Sequence, residues 1–287
     1  MFASDQISPE KLAPLVRNTI FSGNIHHCHQ TESTNLLAME AGSHATRDPE
    51  KAPEGTVFIA DEQTAGRGRK GHTWHSERDA GIYCSFLIHP PLSPGDTLWL
   101  SLLAGVAVQD AVREITGLQP DIRWPNDLLL DDKKFAGVLT EMSSEGGKVN
   151  YAVVGIGINV NHGSFPPDLH TMATSLRLES GREWQRLDLV AALIRALDRE
   201  YRALLRAMSS PIRTPALRFE PIMRRVESRS SYALGKLVEV NEDGGYSGIT
   251  DGLDPRGFLR VRTDNGLRIV ISGSVRPLTR TADAPGY

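Results

Sequence analysis

The sequence predicts an α/β (α+β) protein, a large part on a mixed sheet followed by a small β-barrel. Three observations predict it. Short apolar runs bounded by Gly, Pro and Asp recur between residues 57 and 159, the pattern of strands. Residues 97–115 and 187–208 carry apolar side chains every three to four positions, the pattern of helices. Strands and helices do not alternate strictly, which disfavours a doubly wound sheet. From Leu237 onward, short strands separated by Gly-rich turns read as a small barrel. A boundary is expected after Ser228-Arg229-Ser230-Ser231, dividing the chain into residues 1–230 and 231–287.

The elements follow in order. His26-His27-Cys28-His29, if extended, places His27 and His29 on one face and His26 with Cys28 on the other. No second cluster with zinc-ligand spacing follows, so an incidental role is expected. Ser33-Thr34-Asn35 suits the start of a helix over 36–40. Residues 43–55 read as a polar loop, 57–60 and 82–88 as strands. The helix over 97–115 is expected to be capped by Asp96 and stopped by Gly117. Strands are expected over 121–124, 128–130, 135–143 and 150–159, with turns at Asp131-Asp132 and Glu145-Gly146-Gly147. The helix over 187–208 precedes another over 215–226. Asn265-Gly266 is expected to be a two-residue hairpin turn.

Composition bounds the function. The chain has 287 residues, 40% hydrophobic and 23% charged, with net charge −3. It is long enough for a core without disulfides. It is too balanced for bulk-charge binding to nucleic acid. The two cysteines, Cys28 and Cys84, form no C-x-x-C pair. The first ten residues lack an apolar signal region, and no apolar run reaches the roughly 18 residues of a membrane span. A cytoplasmic protein is expected, without membrane or DNA partners.

Four segments carry chemistry. Gly66-Arg67-Gly68-Arg69-Lys70-Gly71 matches a dinucleotide fingerprint in spacing, but no helical pattern follows at 72–76, so that reading is rejected. What remains is a glycine loop with three cations, suited to a phosphate or to a solvated hairpin tip. Arg123-Trp124-Pro125-Asn126-Asp127 places an amide and a carboxylate at a strand end, or makes a plain turn. Lys134 enters an apolar strand and points into a cleft or into solvent. Gly155-x-Gly157-x-Asn159 allows close approach to a strand, with Asn159 offering donor and acceptor to an adenine edge, or is a bulged core strand.

Together and in this order, Ser33-Thr34-Asn35, Gln63-x-x-Gly66-Arg67-Gly68-Arg69-x-Gly71-x-x-Trp74, Trp124-Pro125-Asn126-Asp127, Lys134-Phe135-Ala136-Gly137 and Gly155-x-Gly157-x-Asn159 resemble the biotin–protein ligases (biotin–[acetyl-CoA-carboxylase] ligase). The resemblance spans about residues 25–278 and implies an SH3-like C-terminal barrel. It implies ATP-dependent activation of biotin to biotinyl-5′-AMP, with Mg²⁺. Transfer then goes to a lysine of a biotin carboxyl carrier protein of acetyl-CoA carboxylase. By resemblance, Lys134, Arg69 and Arg67 are catalytic cations between two anions. Ser33, Thr34, Asn35, Gln63, Arg67, Gly68, Arg69, Lys134 and Gly137 bind biotin. Arg69, Trp74, Arg123, Asn126, Lys134 and Asn159 bind ATP or the adenylate, and Asp127 is a candidate Mg²⁺ ligand. The glycine loop is expected to be mobile until ligand orders it.

Two departures stand out. Arg123 replaces the family's usual Lys. His72 replaces a common Arg, from which a modest loss of ATP affinity is expected between about pH 6 and 8. Only 32 residues precede Ser33, too few for a winged-helix domain, so a monofunctional enzyme is expected, as a monomer or homodimer. The rivals are a lipoate–protein ligase of the same fold, a non-enzymatic biotin sensor, and an RNA-binding protein.

Overall fold

The computed structural model describes residues 6–45, 52–169 and 172–278. The chain runs α1 (Pro9–Leu12), β1 (Ile25–Thr31), α2 (Thr34–Ala45), β2 (Thr56–Gln63), β3 (Gly81–Ile88), α3 (Leu98–Thr116), β4 (Asp121–Arg123), β5 (Asp127–Leu130), β6 (Lys133–Glu145) and β7 (Lys148–Asn159). Then come α4 (Leu176–Ser180), α5 (Arg186–Met208), α6 (Pro215–Glu227), β8 (Leu234–Asn241), β9 (Tyr246–Leu253), β10 (Leu259–Thr263), β11 (Gly266–Val270) and β12 (Ser274–Pro277).

Seven strands form a mixed sheet in the order β1-β2-β3-β7-β6-β5-β4. β1 and β2 are parallel, with α2 as the crossover, and the other neighbours are antiparallel. β3 is buried along its whole length, as a central strand covered on both faces must be. On one face lies α2, whose Ala38 and Ala45 pack on Leu87, Tyr151 and Val153. On the other lie α3 and α5. α3 is buried on nearly all sides, from Trp99 to Gln109 and at Ala111 and Val112, which is why its apolar pattern is broader than a single stripe. α5 is amphipathic and buries Leu189, Leu193, Ile194, Leu197, Tyr201 and Leu204. At roughly 1.5–3 kcal/mol per fully buried large apolar side chain, this layer is a major stabilising element.

The second sheet is antiparallel, in the order β11-β10-β9-β8-β12. Its inward residues Val238, Val240, Leu259, Val261 and Val270 are fully buried in the same cluster as Trp99 and Phe219. Trp124 Nε1 donates to the Gly257 carbonyl at 2.9 Å, and Glu227 accepts from Leu253 N at 2.7 Å. The sheet is thus seated on the large part rather than tethered to it.

Four local expectations are corrected. Asp96 does not cap α3: it ends a 3₁₀ turn and accepts from Ser93 Oγ at 2.7 Å, while Thr97 holds the cap position without a side-chain bond. The polar loop starts later than composition suggests, because α2 continues through Ser43 and His44 to Ala45, whose methyl is buried; residues 46–51 lie outside the described residues. The hairpin loop is Asp264-Asn265, and Gly266 opens β11 opposite Thr263 with φ 110°. Neither loop residue has positive φ; the positive φ falls on Gly266, the first paired residue after the turn, a conformation glycine adopts at no steric cost. β4 stops at Arg123, and the Trp124–Pro125 peptide beyond it is cis. Gly117 ends α3 in the left-handed conformation (φ 76°) as expected.

Candidate functional site

The site is built over a gap in the sheet. Gly137 on β6 pairs with Gly157 on β7, and Gly157 and Gly155 pair with Tyr83 and Ser85 on β3. Three missing side chains leave a trough, and two side chains of this chain lie in it. A Cβ on Gly157 would stand 2.5 Å from the Trp74 indole, and one on Gly155 would stand 1.9 Å from Asn35 Oδ1. The glycines therefore admit close approach, and β7 carries no bulge there.

Trp74 reaches the trough because the glycine loop folds on itself. Gly68 N donates to His72 O (2.7 Å), Trp74 N to Gly66 O (2.8 Å), and a tight turn at 69–71 carries Lys70 and Gly71 at positive φ. A Cβ on Gly66 would strike the Trp74 carbonyl at 2.5 Å, so the neck of this hairpin requires glycine.

Trp74 divides two cavities. The inner one is lined by Ser33, Thr34, Asn35, Gln63, Arg67, Tyr83, Gly137, Gly155 and Gly157, the outer by Lys70, His72, Arg123, Asp127, Asn159, Phe165, Ser274 and Arg276. Gly68, Arg69, Trp74, Asn126 and Lys134 line both. The residues expected for biotin line the inner cavity and those expected for the nucleotide line the outer one, with the shared residues at the junction.

At the inner wall, Thr34 N and Oγ1 donate to Gln63 Oε1 (2.9 and 3.2 Å), and Gln63 Nε2 donates to Ser76 Oγ (2.9 Å). Ser85 Oγ donates to Asn35 Oδ1 (2.6 Å), and Asn35 Nδ2 donates to Glu141 Oε2 (2.8 Å). Arg67 Nη1 lies 3.2 Å from Glu141 Oε1. Asn35 is therefore a buried cross-link beneath the pocket, with both ends of its amide engaged.

At the junction, Lys134 Nζ sits 2.5 Å from Asp127 Oδ1 and 5.3 Å from the centre of the Trp74 ring. Arg123 Nη2 donates to Asp127 Oδ2 at 2.8 Å. Burial alone would raise the Asp127 carboxyl, but Lys134 and Arg123 outweigh it and hold it below the usual carboxylate range. Arg69 Nη1 donates to Asn126 Oδ1 (3.1 Å), and Asn126 Nδ2 to Val138 O (2.8 Å). Burial lowers the Arg69 guanidinium pKa, against the pull of Asp127, yet an arginine stays charged. Lys134 is fixed by its backbone, which bonds Met172 O and Thr174 N.

One expectation changes here. Asp127 has a cation on each oxygen, and Glu141 bonds Arg67 and Asn35. These carboxylates do not fit a resident Mg²⁺, and Asp127 instead positions Lys134 and Arg123. Asn159 is buried, lines the outer cavity and donates from Nδ2 to Thr174 O at 3.0 Å, which uses one of the two N–H donors of its amide.

Ser76, Ser85, Tyr83 and Glu141 were missed. Ser85 interrupts the apolar run Ile82-Tyr83-Cys84-Ser85-Phe86, a signal that was available. Glu141 left none, because its partners arrive from β1–α2 and the loop.

Residues 32–159 match the model of the biotin/lipoate A/B protein ligase family, and residues 233–276 that of the biotin protein ligase C terminal domain. The biotin–[acetyl-CoA-carboxylase] ligase of Mycobacterium tuberculosis is 33% identical, over 86% of this chain and 86% of that protein. This chain belongs to the biotin protein ligases. The bifunctional ligase/repressor BirA of Bacillus subtilis is 36% identical over 78% of this chain, which spans 66% of that protein's length. Among solved structures, the biotin protein ligase of Aquifex aeolicus in complex with biotin and ATP is similar, with TM-score 0.73 and 29% identity over 89% of this chain and all of that one. Among the described residues, no helix is long and apolar enough to cross a membrane.

Proposed function

We propose that this chain joins biotin to ATP and passes the activated biotin to a lysine of a biotin carrier protein, the carrier of acetyl-CoA carboxylase being the expected partner. The observation that carries this reading is the shared junction: an inner polar pocket and an outer cationic cleft meet at Arg69 and Lys134.

Two anions repel when their reacting atoms meet, and cations placed between them offset that cost. Biotin's ureido ring bonds Ser33, Thr34, Gln63 and the loop backbone at Arg67 and Gly68, while Gly137 leaves room for its tail. Its carboxylate oxygen attacks the α-phosphorus of ATP, the bond to the bridging oxygen breaks, and pyrophosphate leaves. Lys134 and Arg69 neutralise the carboxylate and the α-phosphate, and Asn126 orients Arg69. Arg123 and Arg276 face the phosphates, and Trp74 covers the adenylate. Mg²⁺ enters with ATP as part of the substrate, since the carboxylates here are already paired. The carrier's ε-amine then attacks the anhydride carbonyl and AMP leaves. Residues 1–230 are assigned to the catalytic part and 231–287 to the C-terminal part, whose Ser274 and Arg276 line the outer cleft. The two cysteines are unpaired, which suits a reducing cytoplasm.

The test is incubation with labelled ATP, a biotin carrier domain and either biotin or lipoate. Pyrophosphate release and carrier labelling with biotin alone are expected. Labelling with lipoate instead, or none with either, refutes the assignment.

A further inference from the structure

A second cluster lies outside this site, at the free edge of the large sheet. His27 and His29 on β1 project to the same side, and Asp61 of the adjacent parallel strand β2 stands between them. His27 Nε2 is 3.1 Å and His29 Nδ1 3.0 Å from the same oxygen, Asp61 Oδ2. His29 makes a hydrogen bond to it. His27 does not: its side chain is only 10% exposed, and Nε2 is buried without a hydrogen-bond partner.

We propose that His27, His29 and Asp61 bind a divalent transition metal of the zinc class, clipping β1 to β2. The spacing fits. Ligand atoms about 2.0–2.1 Å from one ion lie roughly 2.9–3.4 Å apart in octahedral or tetrahedral arrangements. Two imidazoles with one carboxylate select zinc, nickel, copper or cobalt over magnesium and calcium. A metal lone-pair acceptor also satisfies the buried His27 nitrogen, which makes no hydrogen bond within the protein. His29 is 68% exposed, so water can complete the shell and the ion has an entry path.

The neighbouring charges set the affinity. Arg186 Nη1 is 3.7 Å from the other Asp61 oxygen and is itself paired with Asp79 at 3.0 Å. It weakens binding without occupying the ligand oxygen. Glu10 on α1 is close enough to His27 for the two charges to interact, and it favours a cation. Micromolar rather than nanomolar affinity is expected. Asp61 lies two residues before Gln63, and His29 four before Ser33, so the clip would brace both strands that deliver the inner pocket.

The full chain, stripped with EDTA and dialysed, is titrated with zinc chloride by calorimetry and with cobalt(II) by visible absorption. One zinc equivalent is expected, with d–d bands for cobalt and a higher Tm with zinc. His29→Ala, at an exposed position, should fold normally and bind at least tenfold more weakly, as should His27→Ala. His75→Ala removes a member of the other His-rich group, His75, Glu77 and His162, and should leave this binding unchanged. Millimolar Mg²⁺ should not compete. No saturation by about 100 µM zinc, superposable wild-type and His29→Ala isotherms, or displacement by Mg²⁺ overturns the proposal. Metal binding is read directly, so its failure is distinct from a failure to adenylate biotin.

Discussion

Replacing Lys134 by alanine removes the ammonium at the meeting point of the two cavities. The fold should tolerate it. Asp127 keeps Arg123 at 2.8 Å, and the Lys134 side chain is 32% exposed, so the loss of the pair costs between the about 1 kcal/mol of an exposed pair and the about 3 kcal/mol of a buried one. Catalysis should not tolerate it. A cation at about 4 Å from a developing anion contributes roughly 4 kcal/mol at an effective dielectric of 20. Partial exposure screens this toward the lower end of the range of about 2.7–4 kcal/mol seen for preorganised donors, or about a hundredfold in rate. Biotin-dependent ATP–pyrophosphate exchange measures the step, beside a thermal melt. Lys134→Arg keeps the charge on a longer, planar head and should recover part of the rate. Exchange by Lys134→Ala within about threefold of wild type, or a loss that tracks a collapsed Tm, would refute the assigned role.

Other outcomes follow from the same geometry. Arg69→Gly removes one of the two cations at the reacting anions and frees Asn126, so adenylation should persist at a reduced rate on Lys134 while labelled biotinyl-AMP escapes into solution; unchanged leakage argues against a retaining role. Gly157→Ala drives a methyl into the Trp74 indole at 2.5 Å, a clash costing about 1–3 kcal/mol; Tm should fall, and adding Trp74→Ala should restore it. His162 is fully buried beside Tyr83 Oη (3.3 Å), and burial, reinforced by His75, lowers its pKa to about 4. The unfolded chain therefore takes up the proton first, near pH 6.5. Stability is full above that, falls as pH drops, and levels off near pH 4, a loss of about 3 kcal/mol. Urea titrations from pH 7 to 4 should show this slope, and His162→Phe should flatten it.

Patterns local to the chain were legible in the sequence. The period of apolar residues placed α3, α5 and the strands β2, β3, β6 and β7, because burial on one face or both imposes those spacings directly. Gly117 and the glycines of the loop were readable because left-handed or crowded backbone excludes other residues. The ordered motifs also named the residues now found at the junction, Arg69, Asn126 and Lys134. Partnership was not legible. Asp127 looks the same in sequence whether it ligates a metal or restrains two cations, and only the register of β5 against β6, with Arg123 one strand away, makes it a clamp. The glycines of β6 and β7 announced close approach, but the approaching groups, Trp74 and Asn35, come from more than 60 residues away. His27 and His29 carried no signal of a third ligand, because Asp61 reaches them through parallel pairing across a helical crossover. Chain-local preference chose the elements; the sheet order, which brings distant residues within hydrogen-bond range, decided what each polar side chain does.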